Sequence, residues 1–465
     1  MSRSRPVVRW ALGIVCATLF VGEAAAHAGG LSGTFKPVAV PSWLVVATGG
    51  GVIGASFLLT SLVTDHAFIR GITEWRAALP TRTTARTVAV RGVPWLSVGV
   101  LAAIVMIGWT GPSVAAANLA IVGVWAGWWA GYTMTTYLVG NTWPAVNPWR
   151  ALAGLGALLR DRVLDRPTRR YPERLGAWPS VVGLVGLVWL EVVSPIAQQP
   201  RTLVGVIVGY SVVTVAGAVI YGRETWFGVV DPIARVFRWY GRVAPLQRTG
   251  RGIEFVLPGG GLADGRSGAD ETAFVVALLW VTTYDGLVAT PAWATAIRTV
   301  VGWGLPPSVV YLGTAIAGFG CFLYIYRVAA RWSRRTADTY VTAGYLRDWF
   351  APALVPIAAG YHLAHFLGYF LSLSPALVAV IAQPIAPPAA IRTLVLPAWF
   401  GTLQLAFVLA GHMLAVWVAH ARSFAIFPGR LAPIRSQYPF VLVMVFYTVF
   451  SMWIVGQPYT QPPYL

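Results

Sequence analysis

Long apolar runs alternate with short polar segments along the whole chain. Ten of the runs reach the ~20 residues that a hydrocarbon core asks of a helix. They lie near 42–63, 94–112, 118–139, 178–197, 202–222, 272–291, 307–327, 351–371, 395–420 and 438–456. Trp43, Trp95, Trp109, Trp143, Trp178, Trp293, Trp399 and Trp453 stand near their ends, where membrane helices place an aromatic belt. The pattern predicts an all-α fold, a polytopic transmembrane helix bundle of about ten spans.

Ahead of these spans, residues 1–28 read as a secretory signal peptide. Arg3, Arg5 and Arg9 form a basic start, Trp10 to Gly22 is apolar, and Glu23-Ala24-Ala25-Ala26-His27-Ala28 offers cleavage after Ala26 or after Ala28. Residues 29–465 then form a single transmembrane domain. Cleavage after Ala26 makes His27 the first residue, with an amine and an imidazole able to chelate a metal such as copper. The plainer reading is a histidine that happens to sit beside a signal site.

Composition agrees with the pattern. The 465 residues are 57% hydrophobic and 11% charged, against about 25% charged in a soluble domain. Disorder is excluded by the same apolar content. The net charge of +18 comes almost wholly from arginine, and Lys36 is the only lysine. A Walker A loop and a Schiff-base lysine are therefore both absent from the sequence.

The arginines are distributed by side. The segments after spans one, three, five, seven and nine carry five, seven, seven, five and three of them. The alternate segments hold only Lys36, Arg201, Arg298 and Arg392. The positive-inside rule then puts the arginine-rich segments in the cytoplasm. It places the chain in a cytoplasmic membrane, with the mature N-terminus and the tail Gln457–Leu465 outside. The expected partners are the lipid bilayer, anionic headgroups at the arginine-rich loops, and a small solute or ion. Topology accounts for the basic charge, so no nucleic acid is implied. Cys16 falls in the signal and Cys321 in a span, which leaves no intrachain disulfide after cleavage and no zinc motif.

Two of the arginine-rich segments echo each other. Thr142-Trp143 precedes Asn147-Pro148-Trp149-Arg150, and Thr225-Trp226 precedes Asp231-Pro232-Ile233-Ala234-Arg235. Asn or Asp followed by Pro is a helix start. The sequence predicts two basic helices lying on the membrane surface with Arg150 and Arg235 toward headgroups. The echo reads either as a repeated transporter unit or as two uses of one helix start. Pro258-Gly259-Gly260-Gly261, with no lysine after it, reads as a flexible surface loop. Gly50 and Gly54 make a GxxxG contact face, and Pro356 is placed to kink span eight.

Ionisable groups at membrane depth are costly and mark function. Glu191 lies in span four, Asp285 in span six before Gly286 and Pro291, and His362 and His365 in span eight. His412, with Gln404 to one side, and His420 lie in span nine. The i, i+3 spacing puts His362 and His365 on one helix face, and His362 and His412 fall at similar depth. His420 falls near the headgroups. Three readings stay open for the imidazoles. They relay protons together with Asp285 and Glu191; or His362, His365 and His412 ligate haem b or copper, with His27 as a further copper ligand; or they join helices by hydrogen bonds.

Ala26-His27-Ala28-Gly29-Gly30, Asn147-Pro148-Trp149-Arg150, Tyr284-Asp285-Gly286-Leu287 and the surroundings of His365 together resemble a family of multi-pass prokaryotic integral membrane proteins. The resemblance covers most of the chain and implies the fold. It carries no activity, so no residue takes a role from it. Three functions follow as expectations: proton- or cation-coupled transport, a membrane redox protein, and a structural subunit of a larger complex.

Overall fold

The computed structural model describes residues 42–80, 83–161, 168–388 and 391–464. The expected signal segment, Cys16, His27 and Lys36 lie outside the described residues.

The elements run in chain order as α1 Ser42–Ser61, α2 His66–Thr73, β1 Arg76–Ala78, α3 Thr83–Thr110, α4 Leu119–Val122, α5 Thr133–Leu138, α6 Trp143–Val146 and α7 Pro148–Leu159. They continue as α8 Trp178–Val193, α9 Pro200–Tyr221, α10 Pro232–Gly241, β2 Leu246–Thr249, β3 Gly252–Val256, α11 Ala269–Val288 and α12 Pro291–Val301. The last are α13 Pro307–Thr336, α14 Ala343–Phe350, α15 Val355–Ala382, α16 Phe400–Ile426 and α17 Leu431–Val455. Between α4 and α5 the chain is π-helical over Gly123–Tyr132.

Among the described residues seven helical segments are long and apolar enough to cross a membrane, ending with α15, α16 and α17, and the bent pair α1–α2 makes an eighth if it is one span. Three of the expected spans differ from plain long helices. The first runs to Ser61 and then bends by 117° into α2, which Asp65 caps by accepting from the Phe68 N–H at 2.8 Å. The run 118–139 is divided among α4, the π-helical stretch and α5. Helix α8 has 16 residues and stops at Ser194-Pro195, where Ser194 is extended, the conformation that a following proline favours. Pro356 falls in the first turn of α15. A missing N–H costs nothing there, so it starts the helix where a kink was expected.

Helix α11 is the axis of the bundle. Its middle, Ala273 through Val281, is apolar on every face and buried almost completely, as such a stretch must be. It packs on α8, α13 and α15, while α15 packs on α16, and α17 on α1, α13 and α16. A second group, α3, α7 and α9, packs together to one side and is joined to the rest through the π-helical stretch against α15. The outward faces stay apolar, with Val100, Met106, Val212, Ile316, Leu442 and Phe446 exposed. Large exposed apolar faces mean contact with something apolar, and seven such helices indicate a membrane protein.

The glycine contacts differ from expectation. A side chain on Gly49 would meet the Met452 sulfur at 2.1 Å and one on Gly50 would meet Val449 at 3.2 Å, whereas Gly54 has nothing within 4 Å. The α1–α17 contact therefore uses Gly49 and Gly50, and the second glycine of the GxxxG pair is off it. Backbones approach closely at another crossing, where a Cβ on Gly360 of α15 would lie 2.8 Å from the Gly411 Cα of α16.

The arginine-rich segments gather at one end. A three-stranded antiparallel sheet in the order β1-β3-β2 ties residues 76–78 to 246–256. His66 bonds the carbonyls of Phe424 and Gly429, and Thr336 donates to the Arg435 carbonyl. The glycine-rich loop is packed rather than loose. Gly259 takes φ +81°, a conformation glycine adopts freely, and turns the chain onto α16. Arg422 then donates to the carbonyls of Leu262 and of Gly265, the latter at 2.5 Å, and stacks on the Trp349 ring at 4.3 Å.

Candidate functional site

The site is built where α8, α9, α11, α15 and the π-helical stretch surround a cavity of about 170 Å³. Its walls are apolar: Trp125, Trp128, Trp129 and Phe366 on one side, Leu184 and Val188 on another, Leu203 and Ile207 on a third. Glu191, Asp285 and His365 complete the lining. A π-helical pitch is rare and recurs at functional positions. Here it carries three of the four tryptophans that face the cavity, Trp149 of α7 being the fourth.

Asp285 Oδ2 and His365 Nε2 stand 3.3 Å apart, with side chains 15% and 9% exposed. Asp285 is one turn from the end of α11 farthest from the arginine-rich end, and Glu191 holds the same position on α8. His365 also lines a second, smaller cavity of about 30 Å³ with Tyr361, Gln404, Gln457 and Tyr459. That chamber is polar, and a volume of that order holds water when polar partners surround it. The Tyr361 hydroxyl is buried in it with no hydrogen-bond partner, and Gln404 Nε2 donates to the Ala364 carbonyl at 2.8 Å. His365 thus separates a large apolar chamber from a small polar one.

Residues 457–464 fold over the polar chamber. The Thr460 N–H donates to the Ala289 carbonyl at 2.8 Å, and the Tyr311 hydroxyl to the Pro463 carbonyl at 3.0 Å. Burial, Asp285 and Glu191 together push the Tyr459 phenol up to about 12, so it remains a donor at any physiological pH. Nothing in the local sequence marks Tyr459, since a polar, proline-rich tail after the last span reads as a solvated end.

The other histidines go elsewhere. His362 is fully buried in a box of Trp129, Tyr137, Tyr240 and Phe366 rings, and its Nδ1 shares a 3.0 Å hydrogen bond with the Tyr137 hydroxyl. It stands one layer behind the cavity wall. His412 Nδ1 bonds the Val408 carbonyl of its own helix at 2.8 Å, and its buried Nε2 has no partner. It lines neither cavity. His420, expected at the headgroups, is fully buried and bonds the Val63 carbonyl at 2.8 Å. The carbonyl freed where α1 breaks explains its place. Among the described residues no three His, Cys, Asp or Glu side chains converge as a metal would require.

Beneath the cavity lie the two echoed helices. Asn147 accepts from the Arg150 N–H at 3.1 Å and Asp231 from the Ala234 N–H at 2.7 Å, the cap that their shared sequence predicts. Their depth was not foreseen. Trp149 Nε1 donates to Ser211 at 2.7 Å and the Tyr210 hydroxyl to Asp231 at 2.6 Å, both at the middle of α9. These are half-helices starting inside the bundle, not surface helices. Arg235 is 2% exposed and donates to Ser180 Oγ at 3.0 Å and to Glu271 at 3.3 Å. Arg150 pairs with Glu224. No protein-family model matches the chain, and no curated protein matches it.

Proposed function

We propose that the protein is a multi-pass cytoplasmic-membrane transporter that couples movement of a small solute or ion to a proton or cation at Asp285 and His365. In this reading the signal is removed and the ten apolar runs all cross, α4–α5 and α8 included. The arginine-rich end faces the cytoplasm.

The observation that carries the proposal is the 3.3 Å Asp285–His365 contact on the wall between two cavities. In an apolar surround a carboxylate needs a countercharge. Protonated His365 supplies one, and a bound cation supplies another, so the two compete. Competition for one carboxylate is a coupling free energy, and it is reciprocal: the cation lowers proton affinity as much as the proton lowers cation affinity. Glu191 adds a second carboxylate to the same cavity. His362 supports the wall behind Trp129 and extends a proton relay, while His412 stands at the α15–α16 crossing.

Proteoliposomes enclosing a pH-sensitive dye test the reading against a panel of cationic and neutral solutes. The expected result is a solute-dependent pH change that falls at least tenfold in Asp285→Asn. A response that survives this substitution, or no response to any solute, would remove the proposal.

A further inference from the structure

We infer that the larger cavity binds a small hydrophobic ammonium ion, about the size of one aromatic ring. This names a substrate class for the transport reading and rests on it.

Size comes first. An apolar cavity of roughly 150 Å³ takes up benzene, and this one measures about 170 Å³. The walls come second. Trp125, Trp128, Trp129 and Trp149 face the space. The face of an aromatic ring attracts a cation within about 6 Å, most strongly for tryptophan, and the same ring gives apolar contact to the rest of the ligand.

Charge comes third. Glu191 and Asp285 stand at one end of the cavity and His365 is the sole basic residue in its lining; none of the lining residues is Arg or Lys. An anion would meet two carboxylates, whereas an ammonium meets them at that end and the tryptophan faces along the walls.

The test uses the full-length protein in mild detergent and two isosteric probes. Phenyltrimethylammonium carries the charge, and tert-butylbenzene has the same shape without it. Saturable binding of radiolabelled phenyltrimethylammonium is expected, with tert-butylbenzene displacing it at least tenfold less well. Asp285→Asn and Glu191→Gln are each expected to weaken binding at least tenfold while the melting curve shows the variant folded. No saturable binding, or displacement by both probes at equal concentration, overturns the inference. The probe comparison needs no variant, so it stands even where a substitution fails to fold. Binding without any proton movement in vesicles would keep this inference and sink the coupling, and proton movement driven by other solutes without ammonium binding would do the reverse.

Discussion

Arg422 is fully buried, and the hydrogen bonds it makes go to carbonyl oxygens: Trp349 at 2.6 Å, Leu262, Gly265 and, at 3.4 Å, Asp264. A planar fork can meet that many acceptors at once, and an ammonium cannot. Arg422→Lys is expected to lower stability by about 2 kcal/mol, in line with lost hydrogen bonds to a charged group. Arg430→Lys, on an exposed residue, should change nothing. Thermal unfolding in detergent reads both. A second outcome belongs to Asp285 and His365. Asp285→Asn, His365→Gln and the double variant should be non-additive by about 1 kcal/mol, as for side chains in contact. Additive losses would mean that the contact contributes no coupling. At this scale the sequence was only half legible. Asp285 and Glu191 stand out in any apolar run by being charged. His362, His365 and His412 look equivalent there and are not, because what distinguishes them is Tyr137, Asp285 and the Val408 carbonyl, two of which come from distant segments.

Elements were legible where local chemistry decides and illegible where packing does. The Asn147-Pro148 and Asp231-Pro232 starts are caps in sequence and caps in the structure. Their depth inside the bundle follows from Tyr210, Ser211, Ser180 and Glu271, which no window around residue 147 or 231 contains. Hydropathy likewise counts apolar residues and not the break at Asp65 or the π-helical pitch, so ten runs became seven long helices and three altered ones. The α15–α16 crossing gives the sharpest test. Gly411→Ala places a methyl 2.5 Å from the Pro356 carbonyl, and overpacking of this kind costs about 1–3 kcal/mol. Gly54→Ala, with nothing within 4 Å, is the control and should hold the melting temperature or raise it slightly, as alanine favours a helix over glycine. Equal behaviour of the two variants would show that the crossing tolerates separation.

For the molecule as a whole, residues 457–464 close the end opposite the arginines. Their removal should open the polar chamber. Ala364→Cys, which lines that chamber, is expected to react at least tenfold faster with a water-soluble thiol reagent once residues 457–464 are deleted. An unchanged rate would show that the tail does not seal it. The two ends also differ in charge, with Arg235, Arg238, Arg242 and Arg422 below the cavity and Glu191 and Asp285 near its far end. Asp285 lies one turn from the end of α11, so on the proposed topology it is nearer the tail-side margin of the hydrocarbon than its centre. A membrane potential of 100 mV acts on a unit charge with about 2.3 kcal/mol over the full crossing. A cation reaching Asp285 from the tail side crosses little of that drop, and one arriving past the arginines crosses most of it. Loading from the tail side should therefore be nearly blind to voltage, and the return step should carry almost all of the electrical work.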